Sequence, residues 1–128
     1  MKYLCLICAD TLMEQMSAAD RDNHFEEYRE FTEALRESGN FIGCNRLELP
    51  TAATTVRMRQ GKVSATDGPY AETKEQLGGY YVIEATGMNE AIQVASRIPG
   101  ARIGCVEVRP IAEDPQTLRA LGLPVRQQ

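Results

Sequence analysis

Tryptophan is absent from this chain of 128 residues, histidine occurs once, and three phenylalanines and five tyrosines supply every other aromatic ring. A lone histidine excludes the paired-imidazole metal motifs. No serine elbow, phosphate loop or dinucleotide fingerprint occurs either, so no cofactor is expected. Long apolar runs are missing too: Leu4 to Ala9 is far too short to cross a bilayer, and Met1-Lys2 leads into it without a signal-type core. A cytoplasmic protein with no membrane partner is the expectation. Basic charge is in deficit, with 14 Lys and Arg against 18 Asp and Glu and a net charge of -4. That balance opposes nucleic-acid binding. Arg57, Arg59 and Lys62 cluster in sequence, but they flank the turn at Gln60-Gly61 with no stacking aromatic among them.

What remains is an ordinary globular composition, 43% hydrophobic and 25% charged, in a length that fits one domain. The body is assigned to residues 1–111, and residues 112–128 are read as a tail of the same domain. Four cysteines invite a metal or disulfide reading, and Cys5-Leu6-Ile7-Cys8 has knuckle spacing. Lys2 to Ala9 reads as a buried strand, however, and period-two alternation sends residues three apart to opposite faces. Free thiols and no metal site are expected, with Cys44 and Cys105 acting as small hydrophobes in strands.

After the first strand, Asp10 to Met16 is a polar connection. Ser17 followed by Asp20 caps a helix that runs to about Ser38, where Gly39-Asn40 ends it. Phe25, Tyr28, Phe31 and Leu35 form its apolar stripe. Phe41 to Leu49 reads as a strand stopped by Pro50, and Thr54 to Arg59 with Lys62 to Thr66 as a hairpin. Glu72 to Leu77 is a short helical turn or loop, and Gly79 to Ala85 a strong strand. Ala91, Ile92, Ala95 and Ile98 mark a second helix that Pro99-Gly100 terminates. Ala101 to Arg109 is the last strand, and Asp114 to Leu123 a short terminal helix that frays through Arg126-Gln127-Gln128. The order is that of an α+β, ferredoxin-like split βαβ fold with an inserted β-hairpin. The first strand is apolar on both sides, whereas two helices cover one face of a sheet. A second copy of the chain is the expected cover, which makes a homodimer.

The run from Thr66 to Glu84 concentrates the candidate chemistry. Asp67 stands beside the restricted backbone of Gly68 and Pro69, and a carboxylate there next to an apolar barrel is a candidate acid or base, or else a turn cap. Tyr70 and Tyr80 are candidate pocket walls or hydrogen-bond donors. His24, the one side chain that titrates near neutrality, sits a turn before Tyr28 and is a second catalytic candidate. Glu72, Lys74 and Glu75 line an entrance or form a solvated turn. Arg46, Glu48, Glu84, Glu107 and Arg109 lie in otherwise apolar strands. They lie at strand ends, pair with one another or face a polar cavity, and the last suits a small anionic or polar ligand.

Asp67-Gly68-Pro69 followed by an aromatic residue and Ala71-Glu72-Thr73-Lys74-Glu75-Gln76-Leu77-Gly78-Gly79 resembles the signature of the DGPF subgroup of YCII-related proteins, with Tyr70 where the subgroup has phenylalanine. The resemblance extends through Thr54-Thr55-Val56-Arg57 and from Arg97-Ile98-Pro99-Gly100 to Pro110, about residues 2 to 111. It implies a dimeric α/β barrel and a pocket for a small-molecule ligand bounded by Asp67, Gly68, Pro69, Tyr70 and Tyr80 with His24 or Tyr28. Some enzymes of the wider family use a histidine and aspartate pair in dehydrochlorination. Counted back from Gly39, Tyr28 rather than His24 takes the histidine position. Two functions follow: a cofactor-independent lyase or isomerase with Asp67 as acid or base, or a non-catalytic ligand-binding or regulatory module tied to extracytoplasmic-function sigma factors.

Overall fold

A computed structural model describes residues 1–9, 15–71 and 73–125. Residues 10–14 of the polar connection after the first strand, Glu72 and the Arg126-Gln127-Gln128 end lie outside the described residues. Strand β1 (Lys2–Ala9) precedes helix α1 (Ala18–Ser38) and strand β2 (Phe41–Arg46). Strands β3 (Thr54–Arg59) and β4 (Lys62–Asp67) form a hairpin, followed by β5 (Gln76–Glu84), α2 (Met88–Ser96), β6 (Gly104–Pro110) and α3 (Pro115–Ala120). The four-stranded antiparallel sheet has the order β2-β5-β1-β6, and β3-β4 stands as a separate two-stranded ribbon. This is the ferredoxin-like split βαβ arrangement with a hairpin inserted between its second and third strands.

Local chemistry sets the element ends. Ser17 Oγ accepts the Asp20 N–H at 3.1 Å, satisfying one of the free donors at the start of α1. Gly39 closes the helix at φ 81°, a left-handed conformation that a side chain would resist. Gln60 (φ 52°) and Gly61 (φ 75°) make the tight hairpin turn that positive-φ residues favour. Glu90 accepts from the Thr86 hydroxyl and amide and from Asn40 Nδ2, and these bonds, the Thr86 hydroxyl first, pull its carboxyl down to about 2.

Three strand boundaries differ from the sequence expectation by three residues each. Strand β2 ends at Arg46 rather than Leu49, because only the Leu47 N–H still reaches the sheet, at the Gly78 carbonyl, before the chain turns off toward Pro50. Strand β5 starts earlier, at Gln76, since Leu77 and Gln76 pair with Cys8 and Ala9 across an irregular register step in β1. Strand β6 begins at Gly104 rather than Ala101: Pro99 opens a 3-10 turn over Pro99–Arg102 and holds those residues out of the sheet.

The core lies on one face of the sheet. Tyr3 and Cys5 of β1 and Tyr81 and Ile83 of β5 pack there against Phe31 and Leu35 of α1 and Ala91, Val94 and Ala95 of α2. Alternation sends Leu4, Leu6 and Cys8 to the opposite face, opposite Val82, Tyr80 and Leu77 of β5 and Arg109, Glu107 and Cys105 of β6. Both α1 and α2 leave that face to its own side chains. Cys5 and Cys8 therefore point to opposite sides, and all four cysteines are free thiols. Burial pushes the Cys5 thiol up to about 11. No helix among the described residues is long and apolar enough to cross a membrane.

Candidate functional site

The inward stripe of α1 is buried His24, half-buried Tyr28, and buried Phe31 and Leu35, a four-three-four spacing that keeps one helical face on the sheet. His24, only 8% exposed, takes the stripe position that periodicity gives to Phe25, and Phe25 lies at the rim with the Arg46 guanidinium 5.7 Å from its ring centroid. Beyond the N-terminal half of α1 no helix or strand among the described residues covers the sheet, and Leu47 to Pro50 swing away from it. A cleft of about 220 Å³ opens there.

Its floor is Ile7 and Ala9 of β1 with Gly78, Gly79 and Tyr81 of β5. Leu47, Leu49 and Pro50 form one wall, and His24, Phe25 and Tyr28 the other, with Gly100 and Ile103 closing the end. Arg46, at the end of β2, and Glu48, beyond it, bring charge to a largely apolar lining, so these two of the expected strand charges face a cavity. Glu84 instead pairs with the terminal amine, and Glu107 with Arg109. A cleft of this size lies below the ~300–1,000 Å³ of drug-sized ligand sites. It exceeds the ~150 Å³ apolar cavity that admits benzene. One substituted ring fits.

The imidazole of His24 meets the Tyr28 ring edge to face, with centroids 4.9 Å apart. Burial lowers the His24 pKa, and neighbouring Glu27 and Arg102, which are paired to each other, act in opposite senses on it. Near neutral pH the ring is therefore an uncharged base. None of the described residues forms a hydrogen bond with it. The Tyr28 hydroxyl accepts the Gly100 N–H at 3.1 Å, and burial raises its pKa more than that bond lowers it. Tyr81 shares a 2.7 Å hydroxyl bond with Thr32, and burial takes its phenol up to about 12.

The candidates named from sequence divide into three groups. His24 and Tyr28 come together in the cleft. Asp67 ends β4 opposite Thr54, exposed, at the base of the ribbon, and lines no part of the cleft of its own chain. Gly68 adopts φ 98°, donates to the Ala53 carbonyl at 2.7 Å and accepts from the Thr55 hydroxyl at 2.8 Å, bonds that tie the ribbon base. Pro69 follows, exposed, and Tyr70 is 84% exposed. Tyr80 lies on the face away from the helices, where its hydroxyl accepts from Asn45 Nδ2 at 2.8 Å. Sequence reasoning missed Leu47, Leu49, Gly100 and Ile103 as walls. A glycine buried beside a proline was the one available signal, since it marks close approach of backbone to a neighbour.

The YCII-related domain model matches residues 1–114, and the chain belongs to that family. It is similar to an uncharacterized protein of Rhizobium meliloti (strain 1021), 42% identical over 78 residues, covering 59% of this chain and 63% of that protein. The match thus spans less than two thirds of that relative. Among solved structures, it is similar to a 5-chloro-2-hydroxyhydroquinone dehydrochlorinase from Burkholderia phenoliruptrix AC1100 in complex with 2,5-dihydroxybenzoquinone. There the TM-score is 0.49 at 12% identity, over 91% of this chain and 98% of that one. A divalent cation tolerance protein from Thermus thermophilus follows, with TM-score 0.38 at 17% identity over 94% and 93% of the two chains. At these scores the likeness does not reach the residues of the cleft.

Proposed function

We propose that the cleft between α1 and the strand ends binds a small single-ring metabolite and that His24 moves a proton on it, making the chain a cofactor-independent lyase or isomerase. One observation carries the reading: an imidazole kept neutral by burial faces an apolar cleft without a hydrogen-bond partner among the described residues. A base in that state has a free lone pair at neutral pH, and positioned proton transfer contributes about 10²–10⁴ in rate. Arg46 and Glu48 at the mouth suit a polar substituent on an otherwise apolar ring.

Asp67, standing outside the cleft of its own chain, serves this chemistry only if a second copy carries it in. The open sheet face with Leu4, Leu6, Tyr80 and Val82 supports such a copy, and the expected solution state is a homodimer. Light scattering at micromolar concentration checks it, and a mass near 14.2 kDa removes the dimer.

A second reading, a non-catalytic binding or regulatory module of DGPF type, is favoured by a separate observation. Among the described residues no carboxylate orients His24, because Glu27 is held by Arg102. Cyclohexanone in heavy water separates the two. An acid–base enzyme accelerates exchange of the hydrogens beside the carbonyl, and His24→Gln loses that acceleration while still binding. Binding without exchange above buffer leaves the module.

A further inference from the structure

Two phenols line the cleft, and their protons have different fates. The Thr32 hydroxyl gives its single proton to the Tyr28 backbone carbonyl at 2.8 Å. Tyr81 must therefore donate in the 2.7 Å bond that it shares with Thr32, and its proton is spent. Tyr28 is the reverse case. Its oxygen accepts from the Gly100 N–H at 3.1 Å, an amide that has nothing to accept with, so the phenol's own O–H is left over. No acceptor among the described residues takes it.

Gly100 fixes where that O–H stands. A Cβ built on Gly100 falls 2.7 Å from the Tyr28 oxygen and 2.7 Å from Ile7 Cγ2, closer than carbon approaches either atom. Only a residue without a side chain brings this amide against the phenol, and the Pro99–Arg102 turn that carries it is buried at Pro99 and Gly100.

Resting on the cleft being a ligand site, we propose that Tyr28 is its hydrogen-bond donor to an acceptor oxygen of the ligand, that the cleft thereby selects rings bearing a carbonyl or phenolate oxygen, and that Gly100 is the residue that positions this donor. A buried donor with no partner penalises a ligand that offers it nothing, so discrimination comes from the unpaired group as much as from the bond formed. The lining chooses a ring, and the phenol chooses its substituent.

Acetophenone and α-methylstyrene test this, because they share a shape and differ in a carbonyl oxygen against a methylene. Titration followed by amide shifts of residues 44–50 and 100–103 reads binding in the cleft. The wild-type chain is expected to prefer acetophenone by about tenfold, the worth of one buried neutral hydrogen bond, although the styrene is the more apolar ligand. Tyr28→Phe is expected to abolish or invert the preference, and Gly100→Ala to narrow it by displacing the phenol. Equal wild-type affinities, or a preference that survives in Tyr28→Phe, overturn the donor assignment and leave the cleft as a binding site. If neither compound moves those amides, the ligand-site reading falls with it. Equal wild-type affinities overturn the proposal even if a variant fails to fold, and Tyr28→Phe separates the phenol from the imidazole N–H of His24 as the donor.

Discussion

The cleft and the base of the hairpin ribbon carry the same kinds of side chain in opposite physical settings. His24 and Tyr28 are set against Ile7 and Tyr81 in a lining poor in polar groups, where burial shifts both pKa values away from charge. Asp67 and Tyr70 are exposed, and the nearby polar contacts, at Gly68 and Thr55, are spent on holding the ribbon together. Reactivity depends on this difference. Low-dielectric surroundings and unspent hydrogen-bonding capacity make a group available to a ligand, and solvent or backbone pairing takes that availability away.

Four measurements would break or sharpen the contrast. The largest effect is expected from His24→Gln, which should lower proton exchange on a bound ketone by about a hundredfold or more, while Asp67→Asn leaves it unchanged unless a second copy delivers that carboxylate. A rate lost on Asp67→Asn in a dimeric protein would unite the two regions in one site. Next, Leu35→Ala in the fully buried core should cost about 2–5 kcal/mol in urea unfolding, whereas Val56→Ala on the exposed ribbon should stay within about 0.5 kcal/mol. A comparable cost at Val56 would mean that the ribbon is covered in solution.

Gly68→Ala should cost about 1–2 kcal/mol, since φ 98° strains any side chain even though no atom lies within 4 Å of the new Cβ. Thermal unfolding checks this, with Gly43→Ala as the control of ordinary φ. Smallest is a pH effect. His24 has a folded pKa below its ordinary value of 6.5, so the folded chain binds fewer protons than the unfolded one in that range. Its contribution to stability is present above pH 6.5 and fades as pH falls through the lowered value. His24→Gln should flatten that part of the profile, and a slope unchanged by the substitution would show that the imidazole is solvated.

Much of the architecture was legible because it rests on local rules. Alternation in β1, the Ser17 cap, the Gly39 stop and the Gln60-Gly61 turn each act over a few residues, and the strand and helix order then determined the split βαβ topology. The end of β2 was not legible, since a strand ends where its neighbour stops offering partners, and neither was the length of the Pro99–Arg102 turn that delays β6. Part of the cleft lining was visible: His24 and Tyr28 stood out by type and spacing. The other walls come from segments around residues 7, 47, 78 and 100, which only the fold brings together. The Asp67 to Tyr70 string was conspicuous for its restricted backbone. That restriction has a sufficient cause in closing the ribbon, and sequence does not distinguish closure from chemistry.

The departure of the chain from the sheet after Arg46 also bears on how such a protein can diversify. Leu47 to Pro50 form a wall of the cleft yet pair with the sheet only through one amide, so residues can be exchanged, inserted or removed there without slipping the register of β2, β5 or β1. The opposite wall is helix and the floor is strand, where any insertion would rotate every later side chain. A change of ligand size is therefore cheapest along that one stretch, which makes it the part of the chain where a library would yield altered selectivity and where divergent copies would drift first.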